Sequence, residues 1–212
     1  MYQMVVWDCD GTLVNASRMI DCLYEGYHRM YPDRPHKPRS EFVCCYYFTD
    51  RETRDYLNIA PSEEETFHHI CFGENSEAMD SVQAFDHIVE VILKLKELGI
   101  RQGVNTSRNH LMWNEAIKQL GKEAHEALDT VVTQEEIKHP KPAPDSLEYL
   151  MDITGLAAED ILFIGDSIND ALCAESVHVP FAYAKWGEVL PQHIPCRYVL
   201  QNPLEILQII KN

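Results

Sequence analysis

Positive charge is scarce in this chain: 18 Lys and Arg stand against 34 Asp and Glu, a formal net charge of −16 over 212 residues. That surplus argues against a general affinity for nucleic acid or for an anionic membrane surface. An anionic small substrate is still compatible with it, provided that a cation, a Lys or oriented N–H groups make its site locally attractive. Long apolar runs are missing too. No stretch approaches the ~20 apolar residues that span a bilayer, and Met1-Tyr2-Gln3-Met4 leads into a strand pattern without the charged n-region of a secretory signal. No membrane association is expected. The seven cysteines are odd in number, with no C-x-x-C and no zinc-ligand spacing, and read as reduced thiols of a cytoplasmic protein. Low-complexity segments are lacking as well, and 45% hydrophobic residues suffice to bury a core without metal or disulfide staples.

What is present alternates. Met4-Val5-Val6-Trp7 is a short apolar run that stops at Asp8 and reads as a buried strand. Met19, Ile20, Leu23, Tyr24, Tyr27 and Met30 follow at helical spacing, until Pro32, Pro35 and Pro38 break the chain. From Arg39 to about Phe85 the pattern is irregularly helical with no convincing strand, and Ser62 with Glu65 looks like a capping box opening a helix. Beyond it, helices are expected at 86–98, 110–120, 144–154, 169–176 and 203–210. Strands are expected at 100–105, 128–132, 161–164, 179–183 and 198–200. Such alternation implies βαβ units with right-handed crossovers. The expected fold is therefore α/β, a doubly wound parallel-sheet core formed by residues 1–14 and 86–212, with an all-helical insert at 15–85.

In an open parallel sheet, ligands bind outside the carboxyl ends of the strands. The first strand delivers Asp8-Cys9-Asp10-Gly11-Thr12 to that edge, the second Thr106-Ser107-Arg108, and the fourth Gly165-Asp166-Ser167-Ile168-Asn169-Asp170. The third leads into a loop holding Lys138 and Lys141, the latter between Pro140 and Pro142. Two strand ends with two carboxylates each repel one another unless a cation joins them, and a hard-oxygen donor set suits Mg²⁺. Thr106 and Lys141 would add a hydroxyl and a fixed positive charge, both usable by a phosphoryl group. Nucleophile, acid/base, metal cradle and phosphate donors are thus all available.

These four segments, in this order, resemble the motifs of the haloacid dehalogenase-like superfamily of phosphohydrolases. Asp8-Cys9-Asp10-Gly11-Thr12 is similar to its D-x-D-G-T motif, Thr106 to its Ser/Thr after the second strand, Lys141 to its lysine, and Gly165 to Asp170 to its G-D-x-x-x-D motif. The resemblance implies a Rossmann-like core whose helical insert is the mobile cap of the phosphoglycolate phosphatase and β-phosphoglucomutase branch. It further implies that Asp8 attacks phosphorus and that Asp10 is the general acid and base. Mg²⁺ would sit on Asp8, the Asp10 main-chain carbonyl and Asp166, with Asp170 beside them, and Thr106, Ser107 and Lys141 would face the phosphate. The activity so implied is Mg²⁺-dependent hydrolysis of a small phosphorylated metabolite by a monomer or homodimer. Alternatives are a phosphomutase of the β-phosphoglucomutase type or a non-catalytic binding protein that keeps the fold.

Other residues read more plainly. Ser107 is expected to cap the following helix, Arg108 and Lys138 to be surface charges, and His68-His69 to lie on a solvated helix face rather than to form a metal pair. Tyr46-Tyr47-Phe48 reads as cap core. One departure stands out: no Gly occurs between Gly26 and Gly73, where many relatives place one in the cap's substrate loop. Bulkier residues there would reshape the leaving-group pocket.

Overall fold

The computed structural model describes residues 2–73 and 82–211; the part of the expected helical pattern at 74–81 lies outside the described residues. Two compact units emerge, one of Met1–Asn15 with Gln83–Asn212 and one of Ala16–Val82. In chain order the strands are β1 (Met4–Trp7), β2 (Val14–Asn15), β3 (Gln83–Ala84), β4 (Arg101–Asn105), β5 (Thr130–Val132), β6 (Ile161–Gly165), β7 (Phe181–Ala184) and β8 (Tyr198–Leu200). The helices are α1 (Met19–Met30), α2 (Asp50–Leu57), α3 (Glu64–Phe72), α4 (Ile88–Glu97), α5 (His110–Ile117), α6 (Lys122–His125), α7 (Asp145–Thr154), α8 (Ile168–Ser176) and α9 (Ile206–Lys211).

All four residues of β1 are buried, so neither face of that strand meets water, as befits the middle of a sheet covered on both sides. It pairs in parallel with β4 on one side and β6 on the other, and the sheet runs β5-β4-β1-β6-β7-β8, parallel throughout. The chain thus winds outward from β1 in one direction, then returns to its other flank. β2 and β3, unforeseen in the sequence, make a two-residue antiparallel pair at the edge of the insert. On α4, Ile88, Val91, Ile92 and Leu95 are buried at helical spacing. α7 stops at Gly155, whose φ of 69° is the left-handed turn that glycine accepts without a Cβ clash.

No strand occurs among the described residues of the unit Ala16–Val82. α1 buries Ile20, Cys22, Leu23 and Tyr27, and Phe42 fills the space beneath it, with the Tyr24 and Tyr27 rings 5.6 and 5.5 Å away. The expected Ser62–Glu65 capping box does not form. Pro61 opens a 3₁₀ turn one residue earlier, so Glu63 accepts the Ala60 N–H at 3.3 Å and α3 begins only at Glu64. A reciprocal box does open α2, where Glu52 accepts the Thr49 N–H at 2.8 Å and Thr49 Oγ1 accepts the Glu52 N–H at 3.3 Å. His68 and His69 are exposed, and Tyr46 is buried. Among the described residues no helix is long and apolar enough to cross a membrane.

Two polar side chains inside the sheet satisfy one another. Trp7 Nε1–H donates to Gln102 Oε1 at 3.2 Å, and Gln102 Nε2–H donates to the Ile92 carbonyl at 2.9 Å, tying β1, β4 and α4 together. Gln102→Leu leaves the indole N–H buried without an acceptor, so a loss of about 1–3 kcal/mol in unfolding free energy is expected. Urea unfolding followed by tryptophan fluorescence measures it.

Candidate active site

Trp7 pairs with Val104 on one side and Ile164 on the other. The residues that come next, Asp8, Asn105-Thr106 and Gly165-Asp166, therefore leave the sheet at one level, where the winding reverses direction. The Asp8 N–H still donates to the Ile164 carbonyl at 2.8 Å, which holds its side chain at the strand end. Asp8, Lys141, Asp166 and Asp170 are all buried, between 1% and 7% exposed.

Lys141 knits this cluster. Its Nζ donates to Asp8 Oδ1 at 2.5 Å, to Asp170 Oδ1 at 2.6 Å and to the Asn105 carbonyl at 3.1 Å, which uses all three ammonium protons. The loop before it is shaped by Asp145, which accepts from the His139 N–H at 3.0 Å and meets His139 Nδ1 at 2.9 Å. Asp170 is fixed on its other oxygen by Ser167, whose N–H and hydroxyl donate at 3.1 and 2.6 Å as part of the capping box that opens α8.

One oxygen from each of Asp8, Asp166 and Asp170 lies within 4.8 Å of the others. Asp166 Oδ2 is buried without a hydrogen-bond partner, as are Thr12 Oγ1 and Asn105 Nδ2. Burial, with Asp170 and Asp10 adding to it against the pull of Lys141, pushes the Asp8 carboxyl up to about 7. Burial, with Asp8 and Asp170 close by, also raises Asp166 well above the usual carboxylate range. For Lys141 burial acts downward, but Asp170 and Asp8 outweigh it and the ammonium is held charged. An orphaned carboxylate oxygen inside an all-oxygen acidic cluster fits a hard divalent cation such as Mg²⁺.

Glycines let the backbone close around these acids. A Cβ on Gly11, whose φ is 81°, would lie 2.1 Å from Asp166 Oδ2. Behind it, a Cβ on Gly187 would lie 1.7 Å from the Gly11 carbonyl oxygen, and Trp186 Nε1–H donates to the Thr12 carbonyl at 3.0 Å. Trp186 and Gly187 thus buttress the first motif from the far end of the sequence. The sequence reading passed over them; a Trp-Gly pair separated from a strand end by one residue was the available signal.

Asp10 stands apart from the acidic cluster. Its carboxylate takes a forked pair from Arg108, Nε–H to Oδ2 at 2.8 Å and Nη2–H to Oδ1 at 2.6 Å. Arg108 is only 8% exposed, which corrects its expected place on the surface. Burial acts to lower its basicity, but Asp10 outweighs that and the net direction is up. Thr106 is buried, and its Oγ1 accepts the Arg108 N–H at 3.1 Å. Ser107 is exposed and does not cap α5: Asn109 does, its Oδ1 accepting the Met112 N–H at 2.8 Å. α5 starts at His110 as expected, so the position directly before it is that of Asn109, and Ser107 lies two residues too early to cap. Lys138 is exposed, as read.

Fold and site together define a Rossmann-like enzyme core with an insert whose described residues hold helices and no strand. The family model for haloacid dehalogenase-like hydrolases matches residues 5–184, and the chain belongs to that family. Among curated proteins it is 24% identical to the pyrophosphatase PpaX of Bacillus cereus, across 98% of this chain and 96% of that one. PpaX of Bacillus velezensis is also 24% identical, over 97% and 94%. Among solved structures, a protein of Lactobacillus plantarum provisionally assigned as a phosphoglycolate phosphatase superposes with a TM-score of 0.85 at 23% identity, covering 99% of both chains. CbbY of Rhodobacter sphaeroides, solved with phosphate, superposes with a TM-score of 0.80 at 17% identity over 97% and 96%.

Folding raises the proton affinity of Asp8 and Asp166, so their share of stability is fully present at low pH and is lost as pH rises toward and through about 7. Denaturation of the metal-free protein in chelator is expected to show that decline between pH 4 and 8. Asp166→Asn should flatten it, and Mg²⁺ should stabilise the parent at pH 8 but not this variant.

Proposed function

We propose that this hydrolase is a Mg²⁺-dependent phosphatase, cleaving a small-molecule phosphate monoester through a phosphorylated Asp8. The observation that carries the reading is the buried union of Asp8, Lys141, Asp166 and Asp170 at one strand edge, with Asp10 two residues beyond Asp8. The pyrophosphatase and phosphatase names among its relatives support the same chemistry.

Asp8 Oδ attacks phosphorus, the ester P–O bond breaks with its electron pair going to the leaving oxygen, and Asp10 gives that oxygen a proton. In the second half a water surrenders a proton to Asp10 and attacks phosphorus, releasing inorganic phosphate and restoring the Asp8 carboxylate. Lys141 holds Asp8 in place and presents positive charge where phosphoryl oxygens gather, with the Thr106 hydroxyl alongside. Asp8, Asp166 and Asp170, with the Asp10 main-chain carbonyl, would hold Mg²⁺, which when bound offsets charge on the transferring group. The helical unit Ala16–Val82 is read as the cap domain.

A panel of phosphorylated metabolites with Mg²⁺, read by released phosphate, tests the activity and separates hydrolysis from isomerisation without release. Asp8→Asn is expected to lower turnover by roughly 10³-fold or more. Full activity in that variant would remove Asp8 as nucleophile, and an inactive parent across the panel would remove the phosphatase reading.

A further inference from the structure

The pair between Arg108 and Asp10 poses a problem for the chemistry. A general acid must turn one oxygen toward the leaving group, yet both oxygens of Asp10 are held by the Arg108 fork. The pair has to open, and its two halves are unequally free to move. The guanidinium is anchored independently of Asp10, because Nη1–H donates to the Met112 carbonyl at 3.2 Å, and the main chain that carries it is fixed by the Arg108 N–H donating to Thr106 Oγ1 at 3.1 Å. The Arg108 side chain is 9% exposed and that of Asp10 33%. Arginine is therefore the fixed floor and the carboxylate the movable, solvent-side partner.

When Asp10 leaves, the Nε–H and Nη2–H donors stay behind, parallel, charged and mostly buried. Leaving such donors empty is costly, and a second oxyanion of matching geometry removes the cost. We propose that Arg108 is an oxyanion dock that selects phosphate esters bearing a second anionic group, a carboxylate or another phosphate. The substrate's second anion takes the place of Asp10 on the fork, and the released carboxylate then serves the leaving oxygen. Esters without a second anion must break the pair with nothing in exchange. This inference rests on the phosphatase reading and on Asp10 as its acid.

The test compares matched esters with Mg²⁺: ethyl phosphate against phosphoglycolate, and butyl phosphate against 4-phosphooxybutanoate. The readout is the ratio of kcat/KM within each pair, for the parent, Arg108→Met and Arg108→Lys, each checked for native circular dichroism. In at least one pair the parent is expected to favour the doubly anionic member by about 10- to 100-fold, the worth of a charge-assisted forked contact. Arg108→Met should bring that ratio to within about threefold, and Arg108→Lys, which keeps the charge without the fork, should fall between. If Arg108→Met does not fold, a lowered ratio in Arg108→Lys alone supports the dock. A parent that shows no preference in either pair, or variants that keep the parental ratio, overturns it. Phosphate release from other esters under the same conditions would leave the phosphatase reading standing while the dock falls; a parent inactive throughout the metabolite panel removes both.

Discussion

Three buried carboxylates within 4.8 Å of one another set the terms for everything around them. At an effective dielectric of 20, each such pair repels by about 3 kcal/mol, so the trio approaches the whole stability of an ordinary domain. One ammonium, Lys141, is built into the cluster, and it touches two of the three acids. Three negative charges and one positive leave two uncompensated, the charge that a divalent cation brings. The orphaned oxygen of Asp166 lies in this cluster, and burial first, with the neighbouring acids adding to it, raises the Asp8 and Asp166 carboxyls. The fold tolerates the crowding because Lys141 is held by a loop tied through His139 and Asp145, and Asp170 by the cap of α8.

Where local pattern decides structure, the sequence was a good guide. The buried run of β1, the amphipathic stripe of α4 and the glycine stop of α7 each follow from residues a few positions apart, and the structure has them. The four segments at strand ends were legible for the same reason. Asp8, Lys141, Asp166 and Asp170 meet because the parallel registers bring their strand ends to one level. Elsewhere the signal was non-local. Arg108 reads as an ordinary surface charge until the fold brings Asp10, 98 residues away, onto its fork. Trp186 and Gly187 matter only because β7 returns the chain to the back of the first motif. The misplaced caps have a smaller origin. Pro61 opens a 3₁₀ turn ahead of Ser62, and Asn109 stands nearer than Ser107 to the first turn of α5, distinctions that a motif template does not make.

The core site divides into held and movable parts. Lys141 and Asp170 are locked by several hydrogen bonds each, whereas Asp10 is joined to the protein through a single, partly exposed ion pair. Rigid groups suit the handling of phosphorus, whose charge pattern is common to all phosphate esters. A less committed carboxylate suits proton transfer to leaving groups that differ. Within the core unit, then, the acid–lysine cluster is one fixed arrangement, and the Asp10–Arg108 pair is the part with freedom to rearrange.

The central position of β1 has a consequence for how the protein comes into being. The strand made first lies in the middle of the sheet, and its two neighbours, β4 and β6, emerge far later. At ribosomal rates of 5–20 residues per second, about 10 to 40 s separate the appearance of Asp8 from that of Gly187, which backs its loop. Until β4 and then β6 emerge, an entirely apolar strand lacks its neighbours, and its acidic tip lacks backing until Gly187 follows. A nascent chain halted before β7 would carry Asp8 but not the support of its loop, so on the ribosome this acidic centre is completed late.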